Sequence, residues 1–142
     1  MTVIAWDGRT IAADSLANDA GLKRVVNKLL RVNDGVIAVT GAMDQGLELQ
    51  AWFEAGADPA KWPEFQKKDD WTRLIRATRE GCWWYARTPY PQRVIAPFTA
   101  FGSGRDFAIA AMHMGKSAKE GVELACELTT ECMGPVDVIE LR

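Results

Sequence analysis

The strongest constraint on this chain lies in its first fourteen residues, MTVIAWDGRTIAAD, which read as a short strand, a tight turn and a returning strand, with Thr2 almost at the terminus. A hairpin of this kind starts the fold as antiparallel sheet. Taking Asp7-Gly8-Arg9 as a three-residue loop sets Trp6 opposite Thr10, and counting back along the ladder sets Thr2 opposite Asp14. Position 2 is chemically unusual. Methionine is generally removed ahead of a small residue, and processing would leave Thr2 with a free α-amine beside its own hydroxyl. An amine of pKa about 8 within reach of an alcohol is a built-in general base for a nucleophile. A carboxylate at Asp14 would then stand beside the processed terminus. The same residues also fit an ordinary hairpin with Asp14 in a strand-end turn.

After Asp14 the polar, small-residue stretch SLANDAG reads as a loop. The chain then passes through LKRVV, Asn27 and KLLRV to Asn33-Asp34-Gly35, and VIAVT follows up to Gly41. With Asn33 to Gly35 as a three-residue turn and Gly35 at its positive-φ position, Val32 faces Val36 and Lys28 falls opposite Thr40, beside Gly41. Lys28 sits among Val26, Leu29 and Leu30, where a lysine is less at ease than on a solvated edge. The plain alternative is an edge lysine that discourages aggregation.

From Asp44 the period changes. DQGLELQAWFEAG places Leu47, Leu49, Trp52 and Phe53 mostly on one helical stripe, stopped by Gly56 and Asp58-Pro59. Residues 57 to 70, ADPAKWPEFQKKDD, read as a loop or a single irregular turn, with KKDD as solvated surface. WTRLIRAT, an Arg79-Glu80-Gly81 turn and CWWYAR read as another hairpin, and the Trp71, Trp83, Trp84, Tyr85 cluster as core or subunit contact. Pro89, Pro91 and Pro97 break the chain around a short RVIA strand. TAFGSG then ends a strand in the glycine-flanked Ser103, and RDFAIAAMHMG opens a helix at once. Such a turn permits close backbone approach, and the helix N-terminus favours an anion or a polarised carbonyl. The helix pauses at Gly115, restarts through Ser117 with Glu120 at capping-box spacing, and continues as AKEGVELACELTTEC before a final strand in GPVDVIELR. His113 reads as a packing or surface histidine.

This order gives an α+β chain. Two antiparallel sheets face to face, with helices on their outer faces, make a four-layer αββα sandwich, expected as one domain over residues 1 to 142 without repeats or linkers. At 142 residues, 48% hydrophobic and 25% charged, the chain is long enough to bury such a core. A formal charge of −2 supplies no general attraction to nucleic acid or to an anionic membrane. No run is long and apolar enough to span a bilayer, so the expected location is the cytoplasm. Cys82, Cys126 and Cys132, an odd number without CxxC spacing, fit reduced thiols better than disulfides or a zinc site. With His113 as its single histidine, the chain has no metal site built on several histidines; no cofactor is expected, and no phosphate-binding loop occurs.

TVIAWDGRTIAAD, NKLLRVNDGVIAVTGAMD, FGSGRDFAIAA, KSAKEGVELACE and CMGPVDVIEL together resemble the successive blocks of proteasome β-type subunits and the bacterial HslV peptidase, members of the N-terminal-nucleophile (Ntn) hydrolases. The resemblance covers most of the chain, excluding roughly residues 57 to 98, and several ordered motifs are more specific than any one alone. It implies the Ntn-hydrolase fold and a threonine-type peptidase. The family's nucleophilic threonine falls on Thr2, its acidic partner on Asp14, its lysine on Lys28, its oxyanion-forming backbone glycine on Gly41, and its supporting serine on Ser103. These agree with the two hairpin counts. Lys28, held by Asp14, would keep the Thr2 amine neutral near neutral pH, and the Gly41 N–H would stabilise the oxyanion.

The chain departs from the family in three ways. Thr129 and Cys132 stand where an aspartate and a serine usually support the amine. Residues 57 to 81 offer a proline-rich loop and a strand where a second long helix is usual. Met1, while attached, leaves Thr2 an amide in place of an amine. Two functional expectations follow: a peptidase assembled into a homo-oligomeric ring and acting on peptide or unfolded protein, with an ATP-dependent unfoldase as a candidate partner; or a catalytically inactive homologue that keeps the fold and oligomerises. Six tryptophans and a missing helix point to self-association in either case.

Overall fold

The computed structural model describes residues 1 to 64 and 72 to 142. KKDD and Trp71 lie outside the described residues. Strands β1 (Ile4–Trp6) and β2 (Thr10–Ala13) form the opening hairpin, and both of its faces are buried. Side chains alternate across a strand, so Val3, Ala5 and Ala12 enter one core while Ile4, Trp6, Ile11 and Ala13 enter another. A hairpin buried on both faces must lie inside a stack of layers.

The first core is closed by helices α2 (Arg105–His113) and α3 (Ala118–Leu128), which supply Ala108, Met112, Val122 and Ala125. The second is closed by another sheet, which supplies Leu29, Val36, Ala38, Ile75, Ala77 and Cys82. That sheet contains β5 (Leu29–Val32), β6 (Gly35–Thr40), β7 (Arg73–Thr78), β8 (Gly81–Tyr85) and β9 (Gln92–Arg93), in chain order and antiparallel throughout. Its outer face carries Ile37, Leu74 and Tyr85, covered by Leu49 and Trp52 of α1 (Met43–Glu54). The first sheet is completed by β10 (Thr99–Phe101) beside β1 and β11 (Asp137–Glu140) beside β2. Three cores separate four layers, and the αββα sandwich expected of the sequence is the fold observed. The middle is short, as expected. After α1 comes a 3-10 turn, Pro59–Lys61, and Trp62 packs edge-on to Trp52 at 4.7 Å between ring centroids.

Several local expectations are corrected. Both hairpin counts are one residue out: Trp6 pairs with Ile11, and Leu29 pairs with Ala38, so each loop has two residues. The first turn is tightened by Asp7, whose carboxylate accepts the Arg9 and Thr10 N–H groups and the Thr10 hydroxyl. Such an Asx-type arrangement stands in for a residue of backbone turn. Gly35 belongs to β6 and is not a positive-φ turn residue. Its requirement is close approach, because a Cβ there would run into the Ala77 backbone.

SLANDAG is not a loop. Leu16–Asp19 (β3) pairs with Leu22–Val25 (β4) around Ala20 and Gly21, at φ 51° and 89°. The Arg79-Glu80 turn likewise has two residues, with Thr78 paired to Gly81. The RVIA strand shrinks to Gln92–Arg93, and α3 stops at Leu128, before TTEC. The Ser117–Glu120 capping box is present in full, and His113 is exposed. Leu47, placed on the apolar stripe of α1, is 57% exposed.

Candidate active site

The end of the first sheet nearest Thr2 is organised by backbone. The Gly102-Ser103-Gly104 turn that follows β10 folds back over Thr2: the Gly104 N–H donates to the Thr2 carbonyl at 3.0 Å, and the Thr2 N–H donates to Ser103 Oγ at 3.1 Å. Gly102 sits at φ 94°, and a Cβ there would strike the Thr2 carbonyl. A larger residue would push Thr2 out of place. Thr2 is 8% exposed and immobilised along its main chain.

Asp14 follows β2 and is fully buried. It pairs with Val3 across the hairpin, not with Thr2: its N–H donates to the Val3 carbonyl at 3.2 Å, and its Oδ1 accepts the Val3 N–H at 3.0 Å. Oδ2 accepts the Leu16 and Met133 N–H groups, each at 3.2 Å. A carboxylate removed from water needs such donors, and three of the four here are backbone groups that the fold fixes.

The fourth is Lys28, whose Nζ lies 2.8 Å from Asp14 Oδ1, 3.0 Å from Thr2 Oγ1 and 3.0 Å from the Met1 carbonyl oxygen. An ammonium has three protons, and here each has an acceptor. The Thr2 hydroxyl in turn donates to the Met1 carbonyl at 2.6 Å. Lys28 thus bridges the hydroxyl and the carboxylate, although neither hairpin count predicted the register correctly. Its side chain is 8% exposed, so the alternative of a solvated edge lysine is excluded.

Gly41 closes the group from the second sheet, at φ 99° just after β6. Thr72 backs it, with its backbone in the space a Gly41 Cβ would occupy and its hydroxyl accepting the Ala42 N–H at 3.2 Å. Two cavities open beside Thr2, and Gly41 lines both. One, of about 390 Å³, is walled by Leu16, Val26, Val39, Met43 and Leu47 and reaches Lys28. The other, of about 640 Å³, lies on the Ser103 side and is lined by Phe101, Arg73 and Arg105. The five residues singled out in the sequence therefore share one locality.

The residues that sequence reasoning missed hold the others in place: Gly102 against Thr2, the Met133 N–H on Asp14, and Thr72 behind Gly41. Gly102 and Gly104 were visible as the flanks of Ser103. Thr72 carried no local signal. Of the two departures, Thr129 has its hydroxyl engaged by the Glu131 N–H at 3.2 Å. Cys132 is buried behind the glycine turn, against Gly104, Val3 and Ala125. Burial, and then the negative charge of Asp14, push the Cys132 thiol up to about 12 and Cys126 up to about 11. Both are inert thiols at neutral pH, and all three cysteines are free. No group of side chains among the described residues is arranged to hold a metal ion, and no helix among them is long and apolar enough to cross a membrane.

No family model and no curated protein matches the chain. Solved structures do. Thiobacillus denitrificans BPH in complex with epoxomicin is similar over 100% of both chains, with 25% identity and a TM-score of 0.75. Thiobacillus denitrificans BPH is similar over 99% of this chain and 98% of that one, with 25% identity and a TM-score of 0.73. Eukaryotic HslV from Trypanosoma brucei is similar over 100% of this chain and 99% of its own, with 20% identity and a TM-score of 0.74. These are likenesses of fold, and the matches cover 99–100% of this chain.

Proposed function

We propose that this chain is an N-terminal-nucleophile hydrolase of the proteasome β and HslV kind, a threonine-type peptidase in which Thr2 attacks the substrate carbonyl. The observation that carries the reading is the Lys28 ammonium, hydrogen-bonded at once to the Thr2 hydroxyl and to the buried Asp14 carboxylate. A charged group placed there without function would be a costly way to fill space.

Removal of Met1, and of anything before it, frees the Thr2 amine. The amine takes the hydroxyl proton as Oγ1 bonds to the carbonyl carbon, directly or through a water. Lys28 lies beside the hydroxyl and disfavours a second positive charge on the amine, which stays neutral and basic. The oxyanion forms against the Gly41 N–H, a contribution of about 3 kcal/mol for one well-placed donor. The carbon–nitrogen bond then breaks, the leaving amine takes the proton from the Thr2 ammonium, and water cleaves the resulting ester. Ser103 holds the Thr2 nitrogen and relays protons. The apolar cavity accepts a side chain of the acyl half. The substrate class is peptide or unfolded protein, the working form is a homo-oligomeric ring in the cytoplasm, and an ATP-driven unfoldase would be a separate chain.

One observation favours the second reading, a scaffold without activity. With Met1 attached, its carbonyl occupies both the Lys28 ammonium and the Thr2 hydroxyl. Intact-mass measurement on protein from its native host, before and after incubation with epoxomicin, separates the two. The peptidase reading expects the Met1 mass to be absent and one adduct per chain, lost in Thr2→Ala. Retained Met1, or equal labelling of Thr2→Ala, rejects it.

A further inference from the structure

Glycine leaves the backbone free to swing, so a Gly41 N–H that receives an oxyanion has to be aimed from both sides. On one side stands the ladder, where Thr40, the last residue of β6, pairs with Arg73. On the other, Gly41 turns at φ 99° directly into Ala42, the N-cap of α1. The Ala42 carbonyl is tied into the helix by the Gly46 N–H at 2.8 Å. Gly46 lets this first turn lie close on β6, because a Cβ there would meet Val39 Cγ2 at 2.9 Å.

The Ala42 N–H is held in a less usual way. In a capping box the side chain at the third helical position accepts the N-cap N–H directly. Gln45 occupies that position, but its Oε1 accepts the Thr72 hydroxyl at 2.9 Å, and Thr72 Oγ1 accepts the Ala42 N–H at 3.2 Å. Ala42 has no side-chain oxygen with which to cap the helix itself. A fully buried hydroxyl, brought from just ahead of β7, is therefore inserted between the two ends of the box. A hydroxyl has one proton, and giving it to Gln45 turns a lone pair toward Ala42. Thr72 lines neither cavity at Thr2, whereas Gly41 lines both.

On the reading of Thr2 as the nucleophile, we propose that Thr72 is a positioning residue for the reaction: its hydroxyl fixes the peptide between Gly41 and Ala42 and so aims the Gly41 N–H at the oxyanion. The Thr72 backbone fills the space behind Gly41, and the hydroxyl sets the direction of the donor. The same relay fixes the start of α1, whose Met43 and Leu47 wall the apolar cavity.

The test follows epoxomicin labelling of Met1-free protein by intact mass over a range of inhibitor concentrations, together with hydrogen exchange at the Ala42 amide. Two pairs isolate the hydroxyl: wild type against Thr72→Val, which keeps the branched shape, and Thr72→Ser against Thr72→Ala, which carries the test if the valine variant does not fold. We expect the maximal labelling rate to fall roughly 10- to 100-fold in Thr72→Val and Thr72→Ala, short of the loss of a whole oxyanion donor. The concentration giving half of that rate should stay near wild type, and Thr72→Ser should keep most of the rate. Exchange at Ala42 should quicken in the valine and alanine variants and not in the serine one. Equal maximal rates within each pair, a loss in Thr72→Ser as deep as in Thr72→Ala, or a change confined to the half-saturating concentration overturns the inference alone. Met1-free wild type that forms no adduct rejects the peptidase reading, and the positioning role falls with it.

Discussion

Asp14 and Lys28 are a buried ion pair, yet the two partners are not equally replaceable. Asp14 accepts three backbone N–H groups as well as the ammonium, so Asp14→Ala would orphan Val3, Leu16 and Met133 along with Lys28. Lys28→Met removes one donor from a carboxylate that keeps three others. We therefore expect Asp14→Ala to lower unfolding free energy by about 3–5 kcal/mol and Lys28→Met by distinctly less. Both should abolish epoxomicin labelling. Urea denaturation with labelling in parallel checks the pair of outcomes, and equal destabilisation would mean that the backbone donors contribute little. That these residues meet was legible from the two hairpins, which bring the acid and the lysine to the end of the sheet where Thr2 lies, and from the resemblance to proteasome β-type subunits and HslV. Thr72 was illegible for the opposite reason: its part is played behind Gly41, and nothing in its own neighbourhood says so.

The hairpins show where pattern reading stops at the level of the element. The strands were found, but their registers were shifted by one, an error that normally turns every side chain to the other face. The site survived it because Thr2, Asp14 and Lys28 lie just outside the paired segments Ile4–Trp6, Thr10–Ala13 and Leu29–Val32. There backbone contacts and a long lysine arm, not ladder position, decide who meets whom. The first loop is short because of Asp7, which also accepts the Ala118 N–H at 2.9 Å and so ties the start of α3 to the turn. Burial would raise the Asp7 carboxyl, but hydrogen bonds from Ala118, Thr10 and Arg9 outweigh it and hold the group below its ordinary 3.8. A carboxyl lowered in the folded state stabilises above its unfolded value, and that stability is lost as pH falls through the folded one. Wild type should therefore lose stability below about pH 4 more steeply than Asp7→Asn, and Asp7→Ala should cost roughly 1–2 kcal/mol at neutral pH, discounted for partial exposure. Thermal melts across pH 2–7 read both. The β3–β4 turn invites a change of opposite sign. Ala20 holds φ 51° ahead of Gly21, a conformation that asparagine tolerates better than alanine. Ala20→Asn should raise the urea midpoint, by roughly 0.5 kcal/mol in free energy.

At the scale of the whole molecule the four layers were readable because period-2 and period-3.6 patterns alternate in an order that few packings satisfy, whereas the outermost surfaces were not. The β3–β4 hairpin is the clearest case. It belongs to neither large sheet, and all four residues of β4 are exposed, with Leu22 at 55% and Val25 at 63%. A two-stranded hairpin without a covering layer is marginal in water, and apolar side chains on it add to the cost. Met43 and Leu47, also more than half exposed, stand on α1 at the wall of the cavity that Ala17 and Asn18 of β3 share. A second copy of the chain seated on this face would bury the hairpin and the cavity rim together, and we propose this face as a contact of the ring. Leu22→Asp with Val25→Asp should therefore convert an assembled species into one sedimenting as a single 15.7 kDa chain, while far-UV circular dichroism stays near that of wild type. Sedimentation velocity from low micromolar to about 100 μM covers the range in which a real interface declares itself. Assembly that survives both substitutions moves the interface elsewhere, and a wild-type chain that is monomeric throughout removes the ring from the proposal while leaving the Thr2 chemistry open to test by labelling.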